Sequence, residues 1–168
     1  ASQVACWEGL MSGTFSVFRE RGIVTAFEVA DSLIFNFDAI EGGRGCVAPD
    51  SLVRIGGEAA YQGPDGFYMF NGHTSRPIGN SRFDEFFYVR IDQSQVHRTL
   101  GIADESRKLV LWAYPSIDGG GLRDEIMLLN WETGEAALVR NLPIQAWAKV
   151  LRVGFTIDQL RDLGSTID

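Results

Sequence analysis

Apolar residues in this chain fall into short, strand-length runs separated by Gly, Asn, Asp and Pro. Such punctuation is the mark of a β-rich fold with tight turns. Residues 23–29 and 33–37 read as two strands joined by a turn near Asp31 and Ser32. The glycine-rich stretch 41–46 reads as a loop. It leads through Pro49 into a strand over 52–55, a turn at Gly56 and Gly57, and a return strand over 58–62. Next comes the sharpest local signal, Asn71-Gly72 between the β-prone runs 67–70 and 73–78. A type I′ hairpin turn needs two successive residues at positive φ, and Asn-Gly accepts that conformation.

Residues 81–90 change period. Phe83, Phe86 and Phe87 stand at i, i+3 and i+4, one face of a short helix that would cover the sheet. Ser81 is placed to cap it, and Asp84 and Glu85 lie where the helix dipole favours a negative charge. A second helical turn is expected over 92–97. Strands resume at 98–103 and 108–114 around the polar turn 104–107, then a glycine-rich, mobile loop spans 115–121. A hairpin over 126–131 and 136–140 turns at Glu132-Thr133-Gly134. Alternation over 145–152, with Ala146, Ala148 and Val150 opposite Gln145, Trp147 and Lys149, predicts one more strand. Thr156 caps a short closing helix to Leu163, stopped by Gly164.

Two of these hairpins resemble each other. Phe67-Tyr68-Met69-Phe70-Asn71 and Ile126-Met127-Leu128-Leu129-Asn130 each run apolar to an Asn before a turn and a return strand. One such unit is a four-stranded antiparallel meander, the blade of a propeller; two unrelated hairpins in a sandwich would look alike. The predicted fold is mainly β: antiparallel meander blades of a partial β-propeller with one or two short helices, residues 1–168 forming one domain.

Composition adds exclusions. Of 168 residues, 45% are hydrophobic and 22% charged, values of a globular domain. Apolar runs are far shorter than a membrane span. The net charge of −7 speaks against gripping nucleic-acid phosphates. Cys6 and Cys46 match no zinc or redox spacing; a disulfide between them and two buried free thiols both fit the sequence, and the thiols are the expectation. His73 and His97 read as surface or loop residues. Neither a nucleophile elbow, a metal motif nor a phosphate loop is present: Gly42-Gly43-Arg44-Gly45 lacks the Lys-Ser/Thr such a loop needs. Ser116-Ile117-Asp118-Gly119-Gly120 matches part of the Asp-box of sialidase-type propellers, but Leu122 and Arg123 stand where Thr and Trp belong. Asp118 alone supplies too few carboxylates for calcium. No enzyme activity, cofactor or metal is expected. Tyr68, Phe70, Trp112 and Trp131 would form a sugar platform if exposed, but at strand positions they favour packing. Trp7 and Trp147, near the two ends, are candidates for contacts with neighbouring subunits.

A series of motifs carries a resemblance. In order they are Gly45-Cys46-Val47-Ala48-Pro49-Asp50-Ser51, Gly66-Phe67-Tyr68-Met69-Phe70-Asn71-Gly72 with Arg76-Pro77-Ile78-Gly79, and Arg82-Phe83-Asp84-Glu85-Phe86-Phe87. Leu109-Val110-Leu111-Trp112-Ala113-Tyr114-Pro115, Leu129-Asn130-Trp131-Glu132-Thr133-Gly134 and Gly154-Phe155-Thr156-Ile157-Asp158-Gln159-Leu160 follow. Over residues 22–168 the chain resembles the β-propeller-like structural proteins of tailed phages and prophages, which include stopper, hub and nozzle proteins of the head-to-tail or tail apparatus. The resemblance implies a virion component of the neck or tail, assembled in the bacterial cytoplasm. Its partners would be other virion proteins and further copies of itself. Double-stranded DNA would pass nearby without specific binding, and no membrane is involved. Members of that group are longer, and three blades cannot close a ring of roughly four to eight. The chain is therefore expected to be a fragment, or a subunit whose open edges meet neighbours. A receptor- or glycan-binding β module of a phage is the alternative.

Overall fold

The structure, a computed structural model, describes residues 5–8, 14–28, 35–79 and 81–148. Twelve strands among them form three four-stranded antiparallel sheets, each a meander in strict chain order. The first contains β1 (Ala5–Glu8), β2 (Thr14–Arg19), β3 (Gly22–Glu28) and β4 (Phe35–Gly42). The second contains β5 (Val53–Ile55), β6 (Glu58–Gln62), β7 (Phe67–Phe70) and β8 (Ser75–Pro77). The third contains β9 (Leu100–Asp104), β10 (Leu109–Pro115), β11 (Arg123–Asn130) and β12 (Ala136–Val139). Helix α1 (Ser81–Arg90) and a 3-10 segment (Gln93–Arg98) join the second sheet to the third. The mainly β expectation with short helices is met.

The sheets stack face to face, and this explains the unbroken apolar runs. A strand covered on both faces has no solvent side to alternate with. In β7, Phe67, Tyr68, Met69 and Phe70 are all buried. Phe67 and Met69 join the core shared with the third sheet, among Val110, Trp112, Met127 and Leu129. Tyr68 and Phe70 point the other way, into a core with Phe18 and Ile23 of the first sheet. The second sheet is thus the filling of a three-layer stack.

The second and third sheets are not parallel slabs. At one edge β5 and β9 nearly touch: a Cβ on Gly101 would lie 2.4 Å from Val53 Cγ2 and 2.8 Å from the Ser51 carbonyl oxygen, so only glycine fits. Toward the other edge α1 fills the gap. Phe87 packs its ring 4.8 Å from Phe67 and 4.7 Å from Tyr114, and Phe83 lies 5.3 Å from Phe67. The sheets converge at β5 and β9 and are wedged apart by an aromatic helix face.

Several expectations need correction. Phe86 does not share the buried face of Phe83 and Phe87; it is 43% exposed. The Asn71-Gly72 hairpin is not a two-residue type I′ turn. Phe70 pairs with Ser75, leaving four residues between, and of the pair only Gly72 has positive φ. Asn71 instead accepts through Oδ1 from the backbone N–H groups of His73 (3.0 Å) and Thr74 (2.9 Å), an Asx turn. β4 runs on to Gly42, into the stretch expected as loop. Residues 145–148 form no strand. The turn at Asp31 and Ser32, the Ser81 side-chain cap and the closing helix 156–163 lie outside the described residues.

Candidate functional site

The densest polar cluster is built where α1 meets the third sheet. Tyr114 and Glu125 pair across β10 and β11, so their side chains share a face. Arg90, in the last turn of α1, reaches the same place, at the helix end where the dipole favours a cation. Tyr114 Oη donates to Glu125 Oε2 at 2.7 Å, and Arg90 Nε donates to the same oxygen at 2.9 Å. A second Arg90 nitrogen bonds Oε1, which makes the pair bidentate. Burial alone would raise the Glu125 carboxyl; the hydrogen bonds from Arg90 and Tyr114 outweigh it and hold it below the usual carboxylate range. Burial and the adjacent carboxylate push the Tyr114 phenol up. Every polar tip here is engaged by another. The cluster works as a latch between helix and sheet.

A second carboxylate sits differently. Asp84 of α1 accepts the Phe67 backbone N–H at 3.2 Å. It lies in a cradle of two glycines: a Cβ on Gly79 would fall 2.2 Å from Asp84 Oδ1, and one on Gly66 3.0 Å from Oδ2. Burial raises its carboxyl to about 6, with the charge of Asp65 adding to the rise. The neighbouring Tyr68 hydroxyl donates to Asp65 at 2.8 Å, and the Arg44 guanidinium lies 4.5 Å above the Tyr68 ring.

The partial Asp-box resolves into a structural turn. Ser116 donates through its backbone N–H and its hydroxyl to Asp124, both at 2.8 Å. The carboxylate that closes the loop is therefore Asp124, and Asp118 is exposed. The loop expected to be mobile is tied at its base. Among the described residues, no group of three or more His, Cys, Asp or Glu side chains is arranged to hold a metal.

Two clefts flank the loop after β4. One of about 550 Å³ is lined by Glu20, Arg21, Val47, Pro64 and His97; the other, of about 500 Å³, by Glu41, Arg44, Pro64 and Asp65. The loop itself is pinned down. Cys46 N–H donates to the Arg19 carbonyl at 2.9 Å, and a Cβ on Gly45 would lie 1.8 Å from that oxygen. The run Gly42-Gly43-Arg44-Gly45 is thus a clamp on the β2–β3 turn.

The residues singled out in the sequence end up apart. Trp147 packs on the outer face of the third sheet beside Ala113, Ile126 and Ile144, and its indole N–H donates to the Leu100 carbonyl at 3.2 Å. Trp7 stands in β1, paired in register with Ser16, and its side chain lies outside the described residues. His73 and His97 are exposed. Tyr68, Phe70 and Trp112 are buried, and Trp131 packs against the core, so these four cannot form a sugar platform.

Sequence reasoning missed an aromatic patch on the outer face of the first sheet. Phe15 of β2 stands with its ring 5.3 Å from Phe35 and 6.5 Å from Phe37 of β4. Phe35 is 40% and Phe37 60% exposed. The signal was the period-two spacing of Phe35 and Phe37 around Asn36, in a strand read only for its existence. Among the described residues no helix is long and apolar enough to cross a membrane. Comparison with protein-family models and with curated proteins gave no match.

Proposed function

We propose that this chain is a structural component of a tailed-phage particle, a blade-bearing subunit of the neck or tail rather than an enzyme. One observation supports the reading most: three consecutive four-stranded meanders stacked face to face, with first strands β5 and β9 in contact. That is the arrangement a partial β-propeller requires, and it is the architecture which the resemblance implies. In this reading the chain's work is mechanical. The Arg90–Glu125–Tyr114 latch and the buried aromatic rings stiffen the stack. The net charge of −7 gives a surface along which DNA slides without adhering.

The glycan-binding alternative draws no support from Tyr68, Phe70, Trp112 and Trp131, because those rings are committed to packing. The test is to purify particles after induction of the prophage or phage that encodes the chain and to measure their proteins by mass spectrometry. The chain should appear in fixed proportion to the capsid protein, and immunogold label should fall on neck or tail. Absence from intact particles would overturn the proposal.

A further inference from the structure

We propose that two copies of this chain pair through the outer face of the first sheet, about a two-fold axis that lies in the plane between the paired faces and perpendicular to the strands. The register places Phe15, Ala26 and Phe37 side by side on it, with Phe35 next to Glu28. The opposite face, through Phe18 and Ile23, is already packed on the second sheet. Phe35 and Phe37 stand exposed at the end of the stack, whereas the second sheet is packed on both of its faces.

The choice of occupant follows from what covers the other end. Head-to-tail stacking would seat this face on the outer face of a neighbour's third sheet. That face is taken by the chain's own Ile144 and Trp147, packed on Ala113 and Ile126. A second copy of the first sheet offers an apolar face of the same form, and charge fixes its orientation. Exposed Arg19 ends β2 and exposed Glu28 ends β3, at opposite ends of the same face, flanking the phenylalanines. An antiparallel, isologous pairing sets Arg19 of each copy against Glu28 of the other, giving two opposite-charge contacts around an aromatic centre. A parallel pairing would oppose like charges. This inference does not rest on the virion reading, and failure to find the chain in particles would leave it standing.

The test is the mass of the full chain in solution by light scattering and sedimentation equilibrium across the micromolar range. The expected species is twice the 18.6 kDa chain. Phe37→Glu should weaken the pairing about tenfold or more, since it buries a charge in the aromatic centre. Arg19→Glu alone and Glu28→Arg alone should each weaken it. The double variant Arg19→Glu with Glu28→Arg should restore it, and an equimolar mixture of the two single variants should form mixed dimers. These two charges are on the surface, so folding, checked by circular dichroism, is preserved even where Phe37→Glu is not tolerated. A monomer throughout the range, a mass that grows without limit, or a double variant as weak as the singles would overturn the proposal.

Discussion

The ring of Phe67 in β7 lies 4.1 Å from the indole of Trp112 in β10, and through this contact the second sheet meets the third. Trp112 is fully buried, and its indole N–H donates to the Ser51 carbonyl at 3.1 Å. Trp112→Ala removes the packing and the hydrogen bond together. It should lower unfolding stability by about 3–5 kcal/mol. Trp112→Phe keeps much of the apolar contact but strands the buried carbonyl, for a smaller loss of about 1–3 kcal/mol. Urea unfolding followed by far-ultraviolet circular dichroism measures both. A midpoint unmoved by Trp112→Ala would mean that the two sheets do not share this core.

The latch on the other side of that core makes a prediction about acid. Glu125 is buried, and its pKa in the folded state lies below its ordinary value of 4.5. A carboxyl depressed on folding stabilises the protein above its unfolded pKa, and that contribution is lost as pH falls through the folded pKa. Stability should therefore drop more steeply below pH 4.5 in the native chain than in Glu125→Gln. At neutral pH, Glu125→Ala leaves Arg90 without its carboxylate in a half-buried site and should cost about 3 kcal/mol. Thermal melts at a series of pH values read both effects.

Asp84 should behave in the opposite sense. Its folded pKa of about 6 exceeds the ordinary 3.8. The stability linked to its proton is fully present below the unfolded value and is lost as pH rises through about 6. Asp84→Asn keeps an acceptor for the Phe67 N–H and removes the charge beside Asp65. At pH 7.5 the variant should gain about 1–2 kcal/mol, after allowance for solvent screening of a partly exposed group. At pH 4 the gain should vanish. A gain of the same size at both values would show that charge is not its cause.

The two asparagine turns give a matched pair of tests and bear on the internal repeat. Asn130 Oδ1 accepts from the N–H groups of Glu132 (3.0 Å) and Thr133 (3.1 Å), two and three residues on, as Asn71 does in the preceding sheet. Each turn follows the third strand of its meander. Asn71→Ala and Asn130→Ala should each cost about 1 kcal/mol, while Asn→Asp at either place should be nearly neutral, because a carboxylate accepts the same two bonds. Equilibrium unfolding of the four variants checks this. Unequal losses from the two alanine variants would weaken the case that the hairpins are equivalent.

These turns also show what could and could not be read from the chain. That Asn71 and Asn130 end equivalent strands was legible, because strand runs and turn residues are local patterns. The turn type was not, since Asn serves a type I′ turn through its backbone and an Asx turn through its side chain. The i, i+3, i+4 spacing puts Phe86 on the buried helix face, because spacing marks a stripe without saying how wide the groove beneath it is. Nearness to the end of the chain makes Trp147 a candidate subunit contact and says nothing of its packing on the third sheet. Its site on the third sheet depends on a fold-back from β12 that alternation does not encode. The Arg90–Glu125 pair, 35 residues apart, was invisible for the same reason.

Cys46 tests the core between the first and second sheets. Its side chain is 2% exposed, and its thiol donates to the Ala48 carbonyl at 3.0 Å. Burial pushes the thiol up to about 11. The thiolate is the reactive form, so at pH 8 only about a thousandth of the thiol is reactive, and access is closed as well. In a Cys6→Ser background, which leaves Cys46 as the sole thiol, a disulfide reagent such as DTNB should label the native protein far more slowly than the denatured chain. Labelling should accelerate with denaturant in step with unfolding, because Cys46 lies in the core shared by the first and second sheets. Immediate labelling under native conditions would show that this core opens independently of the rest.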